Sequence, residues 1–289
     1  FSWFNDYHST AVFLWAKYLN KQSILIVGGY DAVASPKLNY GIFLKENLRQ
    51  SLARWNYKQA NEIWVVHKSL AQGCVKARQQ DGTQSGIQHF IPEETLTIRE
   101  VPTAYNSDFW KKEGHKNKKG IITVANISDE RTYQRKGIPL FINLAEALPE
   151  YQFTIVGIQK PAKYQRTLPT NISLLGTLDR EALKNEYSQH QFYFQGSKIE
   201  GLPNVLCEAM LCECIPIGTN VFGIPDAIGT SGHILETTDN LESVISFIKT
   251  LEDPILLGRK ARKRIKEHYP VSRRETAFKK VLSQVTDEK

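Results

Sequence analysis

The chain has 289 residues, more than one domain usually holds, so two domains are expected. Its 41% hydrophobic and 23% charged residues are ordinary for a soluble globular protein. No apolar run approaches the roughly 18 residues that a membrane span needs, and the formal charge of +7 gathers towards the C-terminal end.

The chain starts at Phe1 and its only methionine is Met210, so an upstream segment is expected to be missing. No signal peptide is visible. Phe1 to Asn20 is aromatic and then helical, with Ala11, Leu14, Trp15, Tyr18 and Leu19 at helical spacing. Ser23 to Val27 is a short apolar strand that runs into Gly28-Gly29-Tyr30-Asp31. Ligands of open α/β sheets sit outside strand carboxyl ends, which makes Asp31 and His8 candidates for a pocket floor. Two alternatives stand beside them: Asp31 as a turn cap and His8 as a satisfied core histidine. A helix follows over Asn47–Ala60, then a strand over Glu62–Val66 and a helix from Ser69. Gln79–Gln88 has the glycines and polar residues of a loop. Trp110–Lys119, with its lysines and Gly114, has the composition of an exposed linker.

From Gly120 onward strand and helix patterns alternate: Ile121–Ile127, Pro139–Leu148, Phe153–Val156, Ile172–Leu175, Arg180–Ser188 and Phe192–Phe194. Repeated strand–helix units imply a parallel sheet with helices on both faces and right-handed crossovers. The last unit runs from Gln195 through a glycine-punctuated loop to Met210. Pro203 suits the first position of a helix. The amides of Asn204, Val205 and Leu206 are then unpaired inside that helix, and its dipole favours an anion, usually phosphate. Glu200 and Glu208 bracket this start, and carboxylates grip vicinal sugar hydroxyls. Phosphates between two sets of sugar hydroxyls describe a nucleotide sugar.

Glu200-Gly201-Leu202-Pro203-Asn204-Val205, the seven residues between Glu200 and Glu208, and Glu208-Ala209-Met210 resemble the donor-site signature of the family-4 (group 1) retaining glycosyltransferases. Ile217 to Asp226 resembles the family's next strand and loop, and Val101 to Asn106 its strand end before the linker. The resemblance implies an α/β fold of the GT-B type, two Rossmann-like domains facing a cleft, with the first domain incomplete here. It implies boundaries at 1–107, 108–268 and 269–289, the last being a helix that crosses back. The implied reaction moves a hexose-type sugar from a UDP- or GDP-sugar to a hydroxyl of a glycan, polysaccharide or lipid-linked acceptor. The anomeric configuration would be retained, and no metal or other cofactor would be required. In this reading Glu200 orients the donor sugar, Asp31 lies at the turn facing it, and Glu208 holds the ribose. Gly201, Leu202, Asn204 and Val205 line the donor site, and Lys136 matches the family lysine that clamps the diphosphate.

The sequence also departs from the family. Asn126 stands where a clamping Arg is expected, and a longer loop, Ser128–Arg135, precedes Lys136-Gly137. Arg131 or Arg135 would supply the missing charge. Phe222 replaces a common glycine and would narrow the acceptor side. Cys74, Cys207, Cys212 and Cys214 lack metal-site spacing and suit a reducing, cytoplasmic setting. Arg259 to Lys280 holds ten basic residues against Glu267 and Glu275. A solvated crossing helix and peripheral contact of 259–280 with the inner face of a membrane both remain open, while nucleic acid is not expected as a partner. Two rival functions stand beside the transferase: a nucleotide-sugar 2-epimerase of the same fold, and a non-catalytic module that binds membrane or nucleic acid through the basic tail.

Overall fold

Two sets of short aliphatic and aromatic runs, with almost no polar alternation, seed two all-parallel sheets, as sheets covered on both faces require. A computed structural model describes residues 1–92, 96–159, 168–236 and 240–287. The chain opens with β1 (Ser2–Trp3) and β2 (Ile24–Val27), then makes the short β3 (Val33–Ala34), β4 (Glu62–Val65), β5 (Gln84–Ser85) and β6 (Ile98–Glu100). The first sheet has the order β1-β2-β4-β6, while β3 and β5 form an antiparallel pair beside it. The second sheet consists of β7 (Asn117–Ile127), β8 (Gln152–Ile158), β9 (Ile172–Leu175), β10 (His190–Gln195), β11 (Ile215–Thr219) and β12 (His233–Leu235). Its order is β9-β8-β7-β10-β11-β12.

That order places a topological switch point between β7 and β10, the position at which doubly wound sheets open a crevice above the strand ends. The helices that follow these two strands lie on opposite faces. Ile138–Ala147 packs Ile138, Phe141, Ile142 and Ala145 into one core, and Asn204–Leu211 packs Leu206, Cys207, Met210 and Leu211 into the other. The latter core is continuous with the first sheet: Val27, Val66 and Leu70 share it with Leu202, Leu206 and Phe222.

Several segments differ from expectation. Gln79–Gln88 is not a plain loop but the end of the helix Val75–Asp81, the strand β5 and the start of the helix Ile87–Phe90. Its pairing with β3, a long-range contact, organises it. The Trp110–Lys119 segment is anchored rather than free. Trp110 is only 2% exposed, and Lys116 Nζ donates to the carbonyls of Tyr187 (2.9 Å) and His190 (2.8 Å). Ser128–Arg135 contains the helix Glu130–Arg135, capped by Asp129, whose Oδ1 accepts from the Thr132 amide at 2.7 Å.

The C-terminal helices bind the two sheets together. Val271–Asp287 lies on the back of the first sheet, where Phe278 meets the rings of Trp64 and Phe1, each at 5.0 Å between centroids. Residues 288–289 of the expected crossing helix lie outside the described residues. The basic stretch is not one solvated face. In the helix Pro254–His268, Arg262 donates to the carbonyls of Trp110 (2.6 Å), Ser107 (2.7 Å) and Leu211, the last residue of the 204–211 helix. Arg264 likewise binds the carbonyls of Asp226 (2.6 Å) and Ala227 (2.9 Å). A cation on a helix C-terminus satisfies carbonyls that have no partner within the helix. Arg259, Lys260, Lys263 and Lys266 remain exposed.

A charged donor shared among three carbonyls is worth more than a solvated one. Arg262→Ala is therefore expected to lower unfolding stability by about 2–3 kcal/mol, and Arg259→Ala to change it by less than about 0.5 kcal/mol. Urea titrations of the two variants check this; equal effects would contradict it.

Candidate functional site

The loop after β10 reaches across to the first sheet because nothing larger than hydrogen would fit there. A Cβ on Gly201 would lie 2.6 Å from Val66 Cγ2 and 2.8 Å from the Gly28 carbonyl oxygen. The Gly201 carbonyl in turn accepts from the Gly223 amide at 3.0 Å. The carboxyl end of β2, the loop after β10 and the loop after β11 thus meet at Gly201.

A second close approach fixes the other wall. Gly137 has φ +69°, and a Cβ there would lie 1.9 Å from the Gly196 carbonyl oxygen. Next to it the Lys198 amide donates to the Arg135 carbonyl at 2.9 Å. The turn that carries Arg135 and Lys136 is pinned, backbone to backbone, on the loop that carries Glu200.

Across this seam Lys136 Nζ forms an ion pair with Glu200 Oε1, the two side chains being 18% and 13% exposed. The same oxygen accepts from Ser197 Oγ at 2.9 Å. Behind Ser197 runs a buried chain of hydrogen bonds: Gln195 Nε2 donates to Ser197 Oγ (2.7 Å), and Tyr193 OH donates to Gln195 Oε1 (3.0 Å). Burial pushes the Glu200 carboxyl up. The charges of Lys136 and Arg135 and the hydrogen bonds from Lys136 and Ser197 outweigh it, so the group sits below its ordinary range and is ionised.

The helix carrying Glu208 spans Asn204–Leu211, one residue later than expected, because Pro203 has an extended ψ of 114° and serves as its cap. The first-turn amides have no partner inside the helix, and Asn204 there is exposed and Val205 partly so. Asn204 Oδ1 accepts from Tyr105 OH at 2.9 Å. Gly201 and Leu202 are buried, so they shape the loop from below. Burial pushes the Glu208 carboxyl up to about 7, against the opposing charge of Arg180, whose guanidinium lies 4.5 Å over the Phe109 ring.

The remaining expected site residues divide. Arg131 is exposed, and donates to the Asn39 carbonyl of the opposite half at 3.4 Å while lying 3.8 Å from Asp129 Oδ2. Arg135 points inwards, over the Tyr40 ring at 4.8 Å, with its buried Nε lacking a partner among the described residues. Asn126 is exposed and holds Gln159 through Oδ1 (2.6 Å), so it supplies no charge to the site. Asp31 is not open on a pocket floor. It is fully buried, and its oxygens accept from the amides of Gly29 (2.9 Å), Asn5 (3.0 Å) and Gly28 (3.2 Å), so it caps the turn. His8 lies neither in the pocket nor in the core. It is exposed on the first turn of the helix Tyr7–Tyr18 and donates from Nε2 to the Trp3 carbonyl at 2.9 Å. Tyr40 and Ser197 belong to the site and carry no sequence signal of their own. No helix among the described residues is long and apolar enough to cross a membrane.

Comparison with known proteins bears on this arrangement. The sequence pattern of the family described as "Glycosyl transferases group 1" matches residues 106–269. The phosphatidylinositol N-acetylglucosaminyltransferase gpi3 subunit of Schizosaccharomyces pombe is 26% identical over 140 residues, 44% of this chain and 30% of that protein. The chain therefore spans under a third of this curated relative. Among solved structures, sucrose-phosphate synthase from Thermosynechococcus elongatus superposes with a TM-score of 0.75 at 16% identity, over 97% of this chain and 72% of that one. HepE of Anabaena, solved in complex with UDP, superposes at 0.69 and 13% identity, over 95% of this chain and 76% of its own. These likenesses show the fold: the GT-B arrangement of two Rossmann-like units.

The raised Glu208 has a consequence for stability. Between its ordinary value near 4.5 and about 7 the folded chain holds a proton that the unfolded chain has lost. Its contribution to stability therefore falls as pH rises through that window. Glu208→Gln, which cannot titrate there, is expected to gain in Tm relative to the unaltered chain as pH rises from about 4.5 to about 7. Thermal scans across that range check it, and a constant difference between the two chains would contradict it.

Proposed function

The chain belongs to the group 1 glycosyl transferases, and from that premise we propose that it moves a hexose-type sugar from a nucleoside diphosphate donor to an acceptor hydroxyl, with retention. The observation that carries this reading is the Lys136–Glu200 pair beside an open helix start at the switch point of the second sheet. One cation and one carboxylate, already in contact, match the two parts of the donor that meet at the bond to be broken. Lys136 would turn to the diphosphate and Glu200 to the sugar hydroxyls. The helix start is equivalent to only about half a charge, so Lys136 would be the larger electrostatic contribution to the leaving group. Glu208 would accept from the ribose hydroxyls, which favours its ionised form.

In the reaction the bond between the anomeric carbon and the phosphate oxygen breaks, and the acceptor oxygen bonds to that carbon on the same face. The acceptor proton goes to the departing phosphate, which needs no protein base. Holding the partners in line would supply much of the rate. A UDP donor is favoured by the HepE likeness, and a lipid-linked acceptor by the S. pombe relative. Glu200 is engaged by Lys136, Ser197 and Arg135, which suits a clamp on a charged donor better than the acid–base pair that an epimerase needs at C2.

Thermal-shift and titration assays with UDP- and GDP-hexoses test the reading. A donor at 100 times its Kd is expected to stabilise the chain by about 2.7 kcal/mol. Glu208→Ala should weaken free nucleotide and intact donor alike by about 1.5–3 kcal/mol, and Glu200→Ala the intact donor alone. Lys136→Ala should lower kcat about 10²–10³-fold. No shift with any nucleotide sugar at millimolar concentration would overturn it.

A further inference from the structure

Arg135 is held from the opposite half of the molecule. Its backbone is fixed on the Glu200 loop by the Lys198 amide, yet its guanidinium stacks on Tyr40, which belongs to the first sheet's side. Tyr40 sits in a tight hairpin: it pairs with Ser35 through two backbone hydrogen bonds (2.8 and 3.1 Å), and Asn39 takes the left-handed conformation at φ +46°. Arg131 reaches that hairpin at the Asn39 carbonyl, so the helix Glu130–Arg135 touches it at two points.

The hairpin is itself braced. The Tyr40 ring meets Tyr30 edge to face at 5.1 Å, and Arg49 lies 4.9 Å over the other ring of that pair while donating to Tyr30 OH at 2.9 Å. Arg49 in turn is paired with Asp6. The result is a ladder of Arg49, Tyr30, Tyr40 and Arg135 that crosses from one half to the other. Cations over aromatic faces are attracted to them, more so away from water. Burial pushes the Tyr40 phenol up to about 12, while Arg135 opposes that rise. The Tyr40 hydroxyl therefore stays neutral, and the ring works as an aromatic platform.

Arg135 has capacity to spare. Its charge already acts on Glu200, and its buried Nε lacks a partner among the described residues. Asn126, tied to Gln159, brings no positive charge to the site, so Arg135 is the cation nearest to join Lys136 there. We propose that Tyr40 is a positioning residue that holds Arg135 as the second cation for the donor diphosphate, so that the clamp is complete only while the Ser35–Tyr40 hairpin lies against the Glu130–Arg135 helix. The inference rests on the transferase reading above. It adds that the first half supplies part of the donor site and couples closure of the two halves to the charge on the leaving group.

The test is isothermal titration of the full chain with UDP against uridine, and with GDP against guanosine, for Arg135→Gln, Tyr40→Leu, Tyr40→Phe and the double variant Tyr40→Leu with Arg135→Gln. Arg135→Gln is expected to weaken the diphosphate about tenfold or more, since a charged hydrogen bond is lost, and to leave the nucleoside unchanged. Tyr40→Leu should reproduce that loss, Tyr40→Phe, which keeps the ring face, should stay within about twofold, and the double variant should be no weaker than Arg135→Gln alone. Diphosphate affinity indifferent to Arg135→Gln, or losses that add in the double variant, would overturn the inference. If Tyr40→Leu fails to fold, Arg135→Gln still decides, because equal weakening of nucleoside and diphosphate would also overturn it. Failure of the unaltered chain to bind either diphosphate would instead sink the transferase reading, and this inference with it.

Discussion

The ion pair between Lys136 and Glu200 is the interaction on which the site depends. Both groups are largely withdrawn from water, and neither would be stable there alone as an ion. Removing one partner of a buried pair leaves the other uncompensated, which commonly costs about 3–5 kcal/mol. Here Arg135 and Ser197 soften that penalty for Glu200, which is why the carboxyl stays ionised in spite of its burial. A pair of this kind is well suited to exchange. A bound diphosphate offers Lys136 more negative charge than Glu200 does, and sugar hydroxyls offer Glu200 donors in return. The pair holds both side chains in place across the seam.

Its geometry is inherited from two backbone contacts that tolerate no side chain, Gly137 on Gly196 and Gly201 on Gly28. The first fixes Lys136 against the Glu200 loop within the second sheet. The second brings the carboxyl end of the first sheet to the same loop, and the shared apolar core from Val27 to Phe222 holds it there. His67 and Lys68 extend that seam: His67 Nε2 hydrogen-bonds Asp226 at 2.8 Å, and Lys68 forms an ion pair with it at 2.9 Å. The halves thus meet around the site, not merely beside it. Arg262 stiffens the outer side by tying the end of the 204–211 helix to the segment that joins the two halves.

Much of this was legible in the sequence, because it is local. The alternation of strand and helix patterns from Gly120, the proline before Asn204 and the spacing of Glu200 and Glu208 are written in short runs. The fold class and the family followed from them. What stayed hidden depends on contacts made at long range. Asp31 and a pocket carboxylate look alike in sequence, and only the amides of Asn5, Gly28 and Gly29 show that this one caps a turn. Arg131 and Arg135 are equivalent by composition; only the hairpin far away in the chain tells them apart, holding exposed Arg131 at the Asn39 carbonyl and Arg135 over the Tyr40 ring. Tyr40 itself sits in no motif. The helix at Glu130–Arg135 could have been found, since Asp129 three residues before Thr132 is an ordinary N-cap signal. Net charge says nothing of direction, and within the basic stretch Arg262, Arg264 and Arg274 spend theirs on carbonyls of the chain.

The central claim is that the Lys136–Glu200 pair is the resting form of a donor clamp. A crystal structure of the chain with an intact nucleotide sugar, refined beside one of the free chain, tests it most directly. The account predicts that Lys136 Nζ moves within hydrogen-bond distance of the diphosphate while Glu200 turns to the sugar hydroxyls. A donor bound elsewhere, or one bound with the Lys136–Glu200 pair still closed, would contradict it.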